Sequence, residues 1–210
     1  MVTLDAVQAQ YDKCATIYDL RWKSYITNTL TFLQRHMSLT GGETILDVGC
    51  GTGELERLLV AKHPTQKIIG VDLSANMLKI ARQKLADYPQ LRFCQGRVSE
   101  LPFPKRIFDV VVTANAFHYF NHPHDALLEM QRVLKPNGKL YILDWCRDYF
   151  FCQLCDLVLP RFDPAYRTCY NQQECRYFNS EANFDILAEQ KKRFSIIWGI
   201  MLAVSQAHRE

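Results

Sequence analysis

The chain has 210 residues, enough for one substantial core and too few for two full domains. Hydrophobic residues make up 48% and charged residues 22%, a balance that excludes wholesale disorder. The net charge of +3 is small and scattered, so a nucleic-acid-binding face is not expected. The opening "MVTLDAVQAQYDK" has no basic start followed by an apolar core, so no secretory signal is expected. The longest apolar-rich run, "FSIIWGIMLAV" (194–204), falls short of the ~20 residues that span a bilayer. No transmembrane segment is expected, and a cytoplasmic location with eight reduced cysteines follows.

Residues 3–38 read as helical, with "YDKCATIYDLRW" followed by "SYITNTLTFLQRH". From Thr44 buried strands alternate with helices. The strands are "TILDVG" (44–49), "KIIGVDL" (67–73), "LRFCQG" (91–96), "FDVVVTA" (108–114) and "GKLYILDW" (138–145). The helices between them, 54–63, 75–88 and 125–135, carry apolar residues at helical spacing. Ser74 is placed to cap the second of these, and "KPNG" (135–138) reads as the turn into the fifth strand. Strands and helices alternating in this way predict a parallel sheet covered on both faces. An aromatic-rich stretch (145–181) follows, and "FDILAEQKKRF" and "GIMLAVSQA" flank Ser195–Trp198 as a hairpin.

The first strand breaks into "VGCGTGEL", with Gly49, Gly51 and Gly53 spaced by single residues. A strand, glycine-rich turn and helix form a cofactor-binding device in which helix-start amides face a negative group. Asp72 follows Gly53 by 19 residues, close to the spacing for an acid that accepts ribose hydroxyls. The dinucleotide pattern would place Glu54 where its third glycine belongs, a poor fit to a pyrophosphate. A smaller ligand with ribose, adenine and an amino-acid end suits the spacing.

With "GVDLSANML", "LPFPKRIFDVVVTANAFHYF" and "ALLEMQRVLKPNGKLYILDW", the chain resembles the class I S-adenosylmethionine-dependent methyltransferases, in particular the methyltransferase type 11 branch. The match runs from about Thr44 to Trp145, and its motifs occur in order. The resemblance implies a Rossmann-like α/β fold: a seven-stranded, mostly parallel sheet, helices on both faces and a C-terminal antiparallel hairpin. It implies one domain, with an N-terminal lid (1–43), a cofactor-binding core (44–145), a substrate cap (146–182) and a terminal hairpin (183–210). Asp47, Gly49, Cys50, Gly51 and Gly53 would hold the methionine end of S-adenosylmethionine. Asp72 would bind the ribose, Leu73 and Met77 would pack on the adenine, and Gly96-Arg97-Val98 would meet its edge. Asn115 would lie near the methionine moiety. Tyr11 or Tyr18 would approach the sulfonium, to which an aromatic ring is attracted. Arg97 stands where members commonly carry an acid, and arginine only donates.

Methyl transfer needs in-line approach, and holding two reactants together supplies up to ~7–11 kcal/mol. His118, past the fourth strand, is the candidate base, with Tyr119 beside it; the alternative is a buried histidine that holds the loop. Asp144 ends the fifth strand and could face the pocket. His122 and His124 read as a polar loop, so no metal site is expected. The aromatic cap fits a small apolar or aromatic acceptor. Cys146, Cys152, Cys155, Cys169 and Cys175 fall close together. They could bind zinc, or trivalent arsenic as a soft substrate, but "DYFFCQLCDLVL" reads as a helix and buried small residues account for them better. Other classes remain beside methyl transfer to a small molecule: a non-catalytic S-adenosylmethionine-binding protein, and a nicotinamide oxidoreductase opposed by Glu54.

Overall fold

The computed structural model describes residues 4–163, 165–194 and 199–208. A 33-residue helix, α1 (Leu4–His36), precedes the sheet. Then come β1 (Thr44–Val48), α2 (Glu54–Lys62), β2 (Lys67–Asp72), α3 (Ala75–Lys84), β3 (Leu91–Gln95) and β4 (Phe108–Ala114). The remainder is α4 (Pro123–Val133), β5 (Leu134–Trp145), α5 (Phe150–Val158), α6 (Gln172–Glu181), β6 (Phe184–Arg193) and β7 (Gly199–Ala207). The strands lie in the order β3-β2-β1-β4-β5-β7-β6. β1 to β5 pair in parallel, and β7 runs antiparallel to β5 and β6. This is the Rossmann-like arrangement expected from the sequence.

Successive strand residues point to opposite faces, and each face is apolar here, so the sheet feeds two cores. Leu46, Val111, Leu140, Ile142, Met201 and Ala203 meet Leu127, Met130 and Val133 of α4 and Cys175 of α6. Their neighbours Ile45, Val110, Val112, Tyr141, Leu143 and Leu202 meet Leu55 and Leu59 of α2 and Ile26, Leu30 and Leu33 of α1. Burial on both faces explains the nearly unbroken apolar strand sequences.

Several boundaries differ from expectation. Within the stretch 3–38 expected to be helical, one continuous helix runs from Leu4 to His36. "KPNG" is no turn between elements: β5 begins at Leu134, opposite Phe108, and the register then jumps to Lys139 opposite Val110. Asn137 takes a φ of 62° inside this bulge, which absorbs the extra residues. α3 stops at Lys84, and the Tyr88 amide closes a turn on Leu85 instead. β6 and β7 pair from Phe184–Ala207 to Arg193–Gly199, and the expected hairpin turn 195–198 lies outside the described residues. α6 carries a capping box, Asn171 and Glu174 each accepting from the other's amide.

α1 is fastened to the sheet by its acids. Ser74 accepts from the Met77 amide (3.1 Å) as the α3 cap and donates to Asp12 (2.5 Å). Asp19 accepts from Thr52 and from Lys84, both at 2.5 Å. Ser74→Ala therefore removes a cap and a tether together. It should cost about 1–2 kcal/mol in urea unfolding, and limited proteolysis should cut α1 faster.

Candidate functional site

The strand order reverses between β1 and β4, and ligands of open α/β sheets bind at such a switch point. A cavity of about 270 Å³ opens there. Its walls come from α1, the loops after β1, β2, β3 and β4, and the start of α3.

The glycine loop is shaped from below by Asp72. One carboxylate oxygen accepts from the Gly51 amide and the other from the Ser74 amide, each at 2.8 Å. The three glycines serve different needs. A Cβ on Gly49 would stand 2.6 Å from the Ala116 Cβ, and one on Gly53 would press on Ala81 and Leu85 of α3. A Cβ on Gly51 would meet nothing within 4 Å and would fill the cradle itself. All three have positive φ. Gly53 sits outside the cavity wall as the N-cap of α2, so its expected contact with the ligand is corrected to a packing role.

Asp47 lies in the same wall, and its Oδ1 is buried without a hydrogen-bond partner. Burial, reinforced by the charge of Asp72, pushes its carboxyl well above the usual range. Asp72 is raised too, by burial first, although the Ser74 and Gly51 amides pull it back. Glu56, beneath the loop, is fully buried with both carboxyl oxygens unpartnered, and burial and Asp47 raise it strongly. Such a floor fits the ammonium of S-adenosylmethionine. Glu54 is held down by Lys84 (2.6 Å) and Arg57 (2.9 Å), which outweigh its burial.

Cys50, Leu73, Met77, Arg97, Val98 and Asn115 line the cavity with Tyr11, Tyr18 and Tyr119. The Tyr11 ring meets Tyr18 and Tyr119 edge to face, with centroids 5.9 and 5.4 Å apart. Asn115 (φ 57°) accepts from the Tyr25 hydroxyl at 2.6 Å and donates to Thr29 at 3.1 Å, while the Trp145 indole donates to Tyr25 at 2.6 Å. Tyr25, Trp145, Thr52 and Asp19 were not foreseen. Their partners lie far along the chain, where spacing carries no signal.

His118 is not on the cavity wall. The helical turn Phe117–Tyr119 rotates it inward, where it is 3% exposed. Its Nδ1 donates to Asp144 (2.7 Å), its amide donates to the other Asp144 oxygen (2.9 Å), and its ring stacks on Trp145 at 4.8 Å. The side chain expected as a base thus stands behind the cavity wall, held by Asp144, with its Nε2 buried and without a hydrogen-bond partner. Tyr119 does line the cavity, and burial raises its hydroxyl well above the ordinary value. Asp144 holds His118 rather than facing the pocket.

Cys146, Cys152, Cys169 and Cys175 are buried, and Cys152 donates to the Gly199 carbonyl from within α5. Among the described residues, no three His, Cys, Asp or Glu side chains converge to hold a metal.

A doubly wound sheet with a glycine cradle and a ribose-type acid at its switch point defines a nucleoside-cofactor fold. A family model for the methyltransferase domain matches residues 46–142. The ubiquinone/menaquinone biosynthesis C-methyltransferase UbiE of Stutzerimonas stutzeri is 40% identical over 110 residues, 50% of this chain and 43% of that protein. The chain thus spans less than half the length of that relative. The 2-phytyl-1,4-naphtoquinone methyltransferase of Thermosynechococcus vestitus is 30% identical over 187 residues, 86% of this chain and 80% of that one. A chain in the solved complex between the Haloferax volcanii Trm112 methyltransferase activator and a methyltransferase has the same fold. It superposes with a TM-score of 0.84 at 22% identity, over 95% of this chain and 98% of that one. The chain belongs to the class I S-adenosylmethionine-dependent methyltransferases, whose cofactor is S-adenosylmethionine.

A carboxyl raised on folding gives its full stability at low pH and loses it as the pH climbs through the raised value. Asp47→Asn is therefore expected to stabilise ligand-free protein at about pH 8 by on the order of 1–3 kcal/mol, read as a higher melting temperature, with the gain shrinking toward about pH 5. The same variant should bind S-adenosylmethionine at least about tenfold more weakly in calorimetry, since it loses a charge-assisted contact.

Proposed function

We propose that this chain transfers the methyl group of S-adenosylmethionine to the ring of a small, largely apolar aromatic acceptor of the quinol type. The observation that carries this is one cavity whose wall combines the carboxylates of Asp47 and Asp72 and the glycine loop with the rings of Tyr11, Tyr18 and Tyr119. The activities named for the relatives, a C-methyltransferase of ubiquinone/menaquinone biosynthesis and a naphthoquinone methyltransferase, support that acceptor class and a ring carbon as nucleophile.

Bound S-adenosylmethionine supplies an electrophilic methyl group on a sulfonium. Asp72 keeps unused lone pairs after bonding two amides and accepts the ribose hydroxyls. Asp47 faces the ammonium, and Tyr11 and Tyr18 offer ring faces to the cationic sulfur. Leu73, Met77 and Val98 flank the adenine, with Arg97 at its edge. Asn115 borders the methionine end. Tyr119 keeps its proton and donates a hydrogen bond to an acceptor oxygen. His118 is a positioning residue that fixes the Ala116–Tyr119 turn through Asp144. The inward face of α1 is the lid and the inward face of residues 146–182 the cap, and their exposed side chains take no part.

Calorimetry with S-adenosylmethionine, S-adenosylhomocysteine and NAD, on wild type and Asp72→Ala, tests the cofactor site. Adenosyl binding that the variant loses is expected; binding of NAD alone overturns the assignment. Transfer of labelled methyl to a short-chain naphthoquinol tests the acceptor. Transfer to arsenite alone would replace it with a soft thiophile, and no transfer to either would leave a binding protein. Tyr119→Phe should lower kcat about a hundredfold with KM little changed.

A further inference from the structure

Residues 149–162 set a run of apolar side chains on the outside of the molecule. Phe150 is 73% exposed and Phe162 78%, with Leu154, Leu157 and Val158 exposed between them at one-turn spacing. Single exposed apolar residues are ordinary, but a contiguous set marks a surface that something covers. α1 adds Ile17 and Leu20, 51% and 81% exposed. A chain of contacts joins α5 to α1: Asp156 accepts from Tyr166, whose ring lies 5.9 Å from His118, and His118 meets Tyr119, which meets Tyr11 of α1.

The charges of these two stretches are sorted, and the sorting identifies the occupant. Every acid in residues 11–24 and 149–163 is engaged with the body of the protein. Asp12 accepts from Ser74 and Asn76, and Asp19 from Thr52 and Lys84. Asp156 accepts from Tyr166 and the Cys169 amide, and Asp163 from the amides of Ala165 and Tyr166. Lys13, Arg21, Lys23 and Arg161 remain exposed, beside the apolar side chains. Aromatic and aliphatic side chains flanked by cations, without outward carboxylates, match a bilayer interface that is apolar inside and negative at its surface.

We propose that the outer faces of α5 and α1 seat on a lipid bilayer carrying anionic headgroups, with Phe150, Leu154, Leu157 and Phe162 entering between the headgroups and the four cations facing the phosphates. No helix among the described residues is long and apolar enough to cross a membrane, so the attachment is peripheral. The patch borders the site, since the same chain of contacts runs from α5 to Tyr119, which lines the cavity. A bilayer-dissolved acceptor would thus enter the cavity without crossing water; this last step rests on the acceptor class proposed above, whereas the docking does not.

The test is sedimentation of the full chain with vesicles of phosphatidylcholine alone and of phosphatidylcholine with phosphatidylglycerol. Wild type is expected to bind the anionic vesicles, and the neutral ones at least about tenfold more weakly. Leu157→Glu/Phe162→Glu should weaken binding to anionic vesicles about a hundredfold, and Lys13→Glu/Arg21→Glu should erase the preference for phosphatidylglycerol. Calorimetry with S-adenosylmethionine, unchanged in both variants, establishes that they fold. Quinol methylation in detergent, unchanged in both, separates loss of docking from failure of the acceptor assignment. Wild type that ignores both vesicles overturns the proposal, as do variants that bind like wild type. A wild-type dimer that Leu157→Glu/Phe162→Glu splits, with vesicle binding unchanged, would make the patch a protein interface and overturn it equally.

Discussion

The site depends on one constraint: two carboxylates, Asp47 and Asp72, must share a buried crevice at the strand-order reversal. Asp72 is offset by the Gly51 and Ser74 amides, so the acid proposed to meet the ribose also sets the path of the glycine loop. Asp47 has one oxygen with no such offset, and the buried Glu56 beneath adds to the same field. A buried unpaired charge is costly enough that the proton binds instead. A cationic ligand removes that cost when it arrives. The ligand-free protein is therefore held below its best stability by the residues that recognise the cofactor.

The same elements hold α1. Ser74 both caps α3 and tethers Asp12, while Thr52 of the glycine loop and Lys84 of α3 hold Asp19. A displacement of the loop is felt by α1 through hydrogen bonds, without any hinge being needed. The inward use of these acids also decides what α1 presents outside. Once Asp12 and Asp19 face the loop, Lys13, Arg21 and Lys23 are left to set the sign of the outer surface.

What the sequence made legible was local or periodic. Alternating apolar runs specify strands, and Ser74 capping a helix three residues before Met77 is a short-range pattern. Asp72 was legible because a β-α-β unit has a nearly fixed length. The functions of individual glycines were not, since Gly49 and Gly53 are answered by Ala116 and Leu85, far along the chain. The orientation of His118 was illegible for another reason. In a 3₁₀ turn each step rotates a side chain by about 120°, and nothing local fixes the starting phase, so Tyr119 and not His118 lines the cavity. The bulge at Lys135–Gly138 looked like a turn because Asn and Gly serve either structure.

The polar groups at the aromatic end of the cavity bear on which acceptors can enter. Asn115, beside the rings, has its carbonyl engaged by Tyr25 and its amide by Thr29. The Tyr25 hydroxyl in turn accepts from Trp145. A network already closed on itself offers little to replace the water that a hydrophilic acceptor must shed, and each uncompensated polar group costs about 1–3 kcal/mol. An aromatic ring sheds water at a gain and finds ring edges to pack against. For the acceptor class proposed, selection at this end would work mainly by rejecting polar molecules, with recognition in detail left to what the Tyr119 hydroxyl can reach.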